Sequence, residues 1–195
     1  MKVRKKVLAL LLAAVTTLSM GVTAFATGGT GETTYTDQTT VTIKKEYVAA
    51  NADTTSPAET FTLVQVGDGK VTDGDAASAP ALGTITGAAF EAGDASTDGT
   101  VKNITITLPA YDRVGVYEYT LQEVAGTTAG VTYYGNTIRL VVTVMQGADG
   151  KIRVAGVHTE TEGEKKSDTF TNTYSAGTLN VSKTVEGNMG DHDKY

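Results

Sequence analysis

An all-β fold, with two sheets packed into a sandwich, is what this sequence predicts, on three observations. After residue 26 the chain is rich in Thr, Val, Tyr and Gly, and no stretch shows a convincing helical period. Seven short runs alternate apolar and polar residues at the two-residue period of a half-buried strand. Gly-, Asp- and Ser-rich segments separate those runs and supply the turns.

In chain order the runs are TTVTIKKEYV (39–48), ETFTLVQV (59–66), KNITITL (102–108), GVYEYTLQEV (115–124), NTIRLVVTVM (136–145), KIRVAGVH (151–158) and DTFTNTY (168–174). GADG (147–150) lies between two of them as a hairpin turn. Seven strands at this spacing predict an immunoglobulin-like sandwich. GDGKVTDGDAAS and EAGDASTDGT are expected as loops, with LGTITGAAF between them a candidate strand.

The N-terminus predicts a compartment. Lys2, Arg4, Lys5 and Lys6 precede an unbroken apolar run from Val7 to Val15, and Ala24-Phe25-Ala26 offers small residues at a cleavage site. This is the pattern of a secretory signal over residues 1–26, too short in its apolar part to span a bilayer. A flexible leader is expected over 27–38, a sandwich domain over 39–175, and the start of a second, similar domain, truncated, over 176–195. There TLNVSKTVEGN resumes the pattern of the first strand.

Four of the 16 basic residues belong to the signal, so the mature chain carries 12 basic against 22 acidic side chains, a net charge of −10. Such a chain, without a basic cluster, is a poor ligand for nucleic acid or an anionic membrane. Other proteins or a wall surface are the expected partners. There is no cysteine, so a domain outside the cell must be held by packing, ions or a cross-link other than a disulfide. No cofactor or metal is expected. The aspartates around Asp68, Asp73 and Asp75 lack the ligand spacing of a calcium loop, and His158 stands without evident triad or metal partners.

Strand parity isolates three polar residues. Val41, Ile43 and Tyr47 share a face with Lys45, whereas Lys44 faces solvent with Thr42 and Glu46. Tyr117, Tyr119 and Leu121 share a face that Glu123 continues, and Phe170 and Tyr174 bracket Asn172. An inward lysine alone is accommodated by running its stem out to water. A lysine, a glutamate and an asparagine of complementary chemistry point instead to each other, because an unpaired charge in a core is costly.

With VTIKK upstream and FTNTY downstream, GVYEYTLQEVAG resembles the streptococcal-type major pilin family, Gram-positive subunits of sortase-assembled pili whose domains carry an isopeptide linkage. The resemblance covers roughly residues 39–188, and its most specific part is the Tyr-x-Tyr-x-Leu-x-Glu run ending at Glu123. It implies a CnaB-like sandwich in which the first-strand lysine, here Lys45, bonds to the last-strand asparagine, here Asn172, with Glu123 assisting as proton shuttle. Lys183 falls where a second domain would have its bond-forming lysine. The lysine that accepts the next subunit falls on Lys165, with Lys166 adjacent, although EGEKKSD is also the composition of a solvated loop. Other pilin subunits, joined covalently through sortase, and a host surface or matrix are the partners it implies. The chemistry suits these residue types: burial favours the neutral amine of a lysine and the neutral acid of a glutamate, and folding supplies proximity. On this reading the chain is a cell-surface structural protein, not a turnover enzyme. The rivals are a stalk domain of a monomeric wall-anchored adhesin, sharing the bond but not the polymer, and a carbohydrate-binding module.

Overall fold

The computed structural model describes residues 37–161 and 165–177. These residues form twelve strands and no helix: β1 (Thr40–Ala49), β2 (Glu59–Phe61), β3 (Leu63–Gln65), β4 (Lys70–Gly74), β5 (Ala88–Phe90), β6 (Thr100–Thr107), β7 (Gly115–Glu123), β8 (Val131–Thr132), β9 (Thr137–Gln146), β10 (Ile152–Thr161), β11 (Lys165–Lys166) and β12 (Thr169–Tyr174). One sheet runs β6-β1-β12-β8; a second runs β11-β10-β9-β7-β3, with β4 also on β7. β2 and β5 form a small third ladder. The expected signal, leader and second-domain segment lie outside the described residues.

Alternation builds the core. Ile43, Tyr47, Ile104, Ile106 and Phe170 from the first sheet meet Leu63, Tyr117, Tyr119, Leu121, Ile138 and Leu140 from the second, all buried. This is the immunoglobulin-like sandwich that strand number and spacing predict. Within it β1 is central, pairing antiparallel with β6 and parallel with β12. The ends of the domain are thus adjacent strands.

The structure differs from the sequence expectation at five places, one of them the short strand β8, which no predicted run covers. ETFTLVQV is two strands rather than one. It breaks at Thr62, so that β2 pairs with β5 while β3 pairs with β7. GDGKVTDGDAAS is not wholly loop: Lys70–Gly74 pairs with β7 through a bulge between Val71 and Asp73. Asp and Gly are poor strand formers, and here the partner strand overrides their preference. Gly74 is needed where it stands, with φ +124 and a would-be Cβ 2.6 Å from the Val114 carbonyl oxygen. In LGTITGAAF only Ala88–Phe90 is a strand, while Ile85 bridges Ile106 and covers the outer edge of β6. Finally, part of EGEKKSD is paired: β11 zips onto the end of β10. The GADG turn forms as expected, with Gly147 N donating to Lys151 O at 2.8 Å and Gly150 at φ +78.

Phe61 joins the third ladder to the core. Its ring packs edge-on against Tyr47 at 5.1 Å, Phe90 at 5.6 Å and Tyr133 at 5.9 Å between centroids. Such arrangements add to the large apolar area each ring buries. Phe61→Ala is expected to destabilise the domain by about 3–5 kcal/mol, measurable as a lowered urea midpoint at unchanged slope.

Candidate functional site

The parallel register of β1 and β12 sets Phe170 opposite Lys45 and Asn172 opposite Tyr47. Side chains of like parity face the core, so Lys45 and Asn172 are diagonal neighbours on the inner face, a separation that a long side chain spans. From the facing sheet, the alternation Tyr117, Tyr119, Leu121 ends on Glu123, the last residue of β7. The three meet. Lys45 Nζ lies 2.7 Å from Glu123 Oε2, and Asn172 Nδ2 donates to Glu123 Oε1 at 2.5 Å. One carboxyl thus holds the amine on one oxygen and the carboxamide on the other.

The site is dry. Lys45 and Asn172 are 0% exposed and Glu123 is 4% exposed. The lysine nitrogen sits over two rings, 3.9 Å from the centroid of Phe170 and 4.8 Å from that of Phe61. Removing two charges from water costs several kcal/mol per ion, which their attraction only partly or barely offsets. Burial accordingly pushes the Lys45 amine down to about 8 from its ordinary 10.5, against the opposing pull of the Glu123 hydrogen bond and of the Glu123 and Glu46 charges. A further cost sits on the amide, since Asn172 Oδ1 is buried without a hydrogen-bond partner. An apolar filling of this space would avoid these penalties, so the arrangement is not explained by packing alone.

On the outer face the same two strands are tied by polar contacts. Lys44 Nζ pairs with Asp168 at 2.9 Å, and Thr171 Oγ1 donates to Glu46 Oε2 at 2.6 Å. Lys44 is on the solvent side, as parity predicts. Lys165 stands in β11, in register with Thr161 at the edge of the second sheet. Lys183 lies outside the described residues. His158 does have a partner: its Nε2 lies 3.1 Å from Glu160 Oε1, and Arg139 Nε donates to Glu160 Oε2 at 2.8 Å. His158 and Glu160 lie two apart on β10, a same-face pairing that strand parity alone can show, whereas Arg139 meets Glu160 only through the β9–β10 register. Parity found the three polar members but passed over Phe61, which reaches Lys45 from the third ladder, far from it in sequence.

The profile of FctA, the Spy0128-like isopeptide containing domain, matches residues 22–175. The chain belongs to this family. Among solved structures the chain is similar to the major pilin from Streptococcus pyogenes, with 17% identity and a TM-score of 0.58 over 71% of this chain and 51% of that one. It is also similar to the T-13 major pilin protein of Streptococcus pyogenes, with 19% identity and a TM-score of 0.54 over 71% of this chain and 53% of that one. At these identities the likeness is one of fold, and the chain spans about half the length of the pilins it matches. No curated protein matches it in sequence.

The lowered lysine has a consequence for stability when Lys45 and Asn172 are not joined. Between pH 8 and 10.5 the unfolded chain holds a proton on this amine that the folded chain has released, so stability rises with pH across that window. Above pH 10 the trend is opposed by Tyr47, whose hydroxyl burial pushes up to about 12 and whose proton the unfolded chain loses first. Urea melts of Asn172→Ala are expected to show a gain on the order of 1–3 kcal/mol from pH 8 to 10. A Lys45→Met/Asn172→Ala double variant should lack that gain.

Proposed function

We propose that this chain is a structural subunit of a cell-surface pilus, or a part of one, whose domain is locked by an autocatalytic amide bond between Lys45 and Asn172. The observation that carries the reading is the single buried carboxyl of Glu123 shared by the amine and the carboxamide. Family membership supports the same conclusion independently.

The geometry supports a simple sequence of steps. Transfer of a proton from Lys45 Nζ to Glu123 Oε2, across 2.7 Å, removes two charges from a dry site and leaves a neutral amine beside a neutral acid. A half-turn of the Asn172 amide brings its unpartnered oxygen to Glu123, where the acid donates to it and draws electrons from Cγ. Lys45 Nζ then attacks Cγ. Glu123 takes a proton from the attacking nitrogen and returns it to Nδ2, which departs as ammonia. One C–N bond forms, one breaks, and the carboxyl ends as the neutral acid, keeping the proton it took from Lys45 in the first step. Folding provides the proximity, which is the large contribution in intramolecular reactions. The event happens once per chain.

The benefit follows from position. The bond would join the first strand to the last across well over a hundred residues, worth about 5 kcal/mol in a chain-entropy treatment. It would also lie directly between neighbouring parallel strands, so a force pulling the ends of the domain would be carried by covalent bonds. A cysteine-free protein outside the cell gains from a link that reductants do not open. The basic and apolar pattern of residues 1–26 supports secretion. Polymerisation through Lys165 and sortase, attachment to the wall, and adhesion to a host surface complete the proposal.

Intact-mass measurement tests the bond: the folded, processed protein should weigh one ammonia less than its sequence, and an unaltered mass would refute the cross-link. Glu123→Ala should retain the full mass and melt on the order of 10–20 °C lower. For polymerisation, Lys165→Ala in the producing cell is expected to abolish high-molecular-weight ladders in surface extracts while leaving the melting temperature unchanged; persistent ladders would move the linkage elsewhere.

A further inference from the structure

The two rings flanking the Lys45 amine are not equivalent. Phe61 is backed by core, packing on Tyr47, Phe90 and Tyr133. Phe170, only 2% exposed, also lines a cleft of about 420 Å³. Among the described residues that cleft is lined by Tyr134, Thr161, Lys166, Ser167, Thr169 and Thr171, besides Phe170 itself. Its lining is rich in hydroxyl groups, and a space of this size and polarity holds water readily. Phe170 therefore has the reacting nitrogen 3.9 Å from its ring centroid and also lines a wettable cleft that Lys45 does not line. Tyr134 packs against it at 5.3 Å between centroids.

Resting on the bond-forming reading above, we propose that Phe170 is the partition that decides which nucleophile reaches Asn172, admitting the lysine amine and excluding water. The competition is chemically close. Attack by Nζ on Cγ forms a C–N bond and expels ammonia, giving the cross-link. Attack by water on the same polarised Cγ forms a C–O bond and expels the same ammonia, giving aspartate at position 172 and an unjoined lysine. In a site opened to water that aspartate is ionised, and a carboxylate has no leaving group for the amine to displace. Glu123 assists either nucleophile equally well, so selectivity has to come from access. Phe170 touches both the reacting nitrogen and the cleft, so a brief movement of its ring gives ammonia its exit.

Peptide mapping of residue 172 tests this, because three chemical states are distinguishable there: joined to Lys45, free asparagine, and aspartate. Phe170→Ala is expected to carry at least a tenfold higher fraction of unjoined chains with aspartate at 172 than either the unsubstituted protein or Phe61→Ala. The Phe61 substitution removes a comparable ring and comparable stability but opens onto the core. Equal aspartate in the two variants, or none in Phe170→Ala, overturns the proposal, whether or not the bond forms. Should Phe170→Ala not fold, Phe170→Leu and Tyr134→Ala are read in the same way. The same contrast in a Lys45→Met background, where only water can attack, separates this inference from the bond itself. An unsubstituted protein without the cross-link sinks the bond, whereas absence of faster conversion of Asn172 on opening the Phe170 side sinks the partition.

Discussion

The burial of one carboxyl between an amine and an amide is the constraint around which the domain is arranged. Glu123 ends β7 on the inner face of one sheet, while Lys45 and Asn172 lie on adjacent parallel strands of the other. Their contacts at 2.7 and 2.5 Å cross the core and connect the two layers. Without partners, each of these groups would destabilise the sandwich by several kcal/mol. The fold tolerates them because they meet, and they meet only if the first and last strands are neighbours in one particular register.

That requirement explains otherwise separate features. Burial lowers the lysine amine to about 8 against the opposing pull of Glu123, with Phe61 and Phe170 beneath it, while its outer-face neighbours, Lys44 with Asp168 and Glu46 with Thr171, brace the same strand pair. The unpartnered oxygen of Asn172 marks an amide orientation that is costly as it stands, and that a half-turn would make productive on the proposed reading. Strain of this kind in an otherwise well-packed core is characteristic of sites that do chemistry.

Much of this was legible before the fold was known, for a physical reason. A strand has a period of two, so the face of each residue follows from its neighbours, and Lys45, Glu123 and Asn172 stand out as polar residues on apolar faces. What single strands do not encode is which strands pair. The parallel β1–β12 register, the division of 59–66 between two ladders at Thr62, and the recruitment of the polar segment 70–74 as β4 all depend on partners distant in sequence. Phe61 as a wall of the site is hidden from single strands for that reason, as is the Arg139–Glu160 pair, whereas His158 and Glu160 share a face of one strand. Phe170 was visible beside Asn172, but its cleft-facing side is a property of the assembled sandwich.

The most direct examination of the central claim is an experimental electron-density map of the folded protein at the inner ends of Lys45 and Asn172. Continuous planar density joining Nζ to Cγ at an amide bond length of about 1.33 Å, with the Nδ2 position vacated, is the predicted result. Two separate side chains at van der Waals distance, each complete, would contradict it.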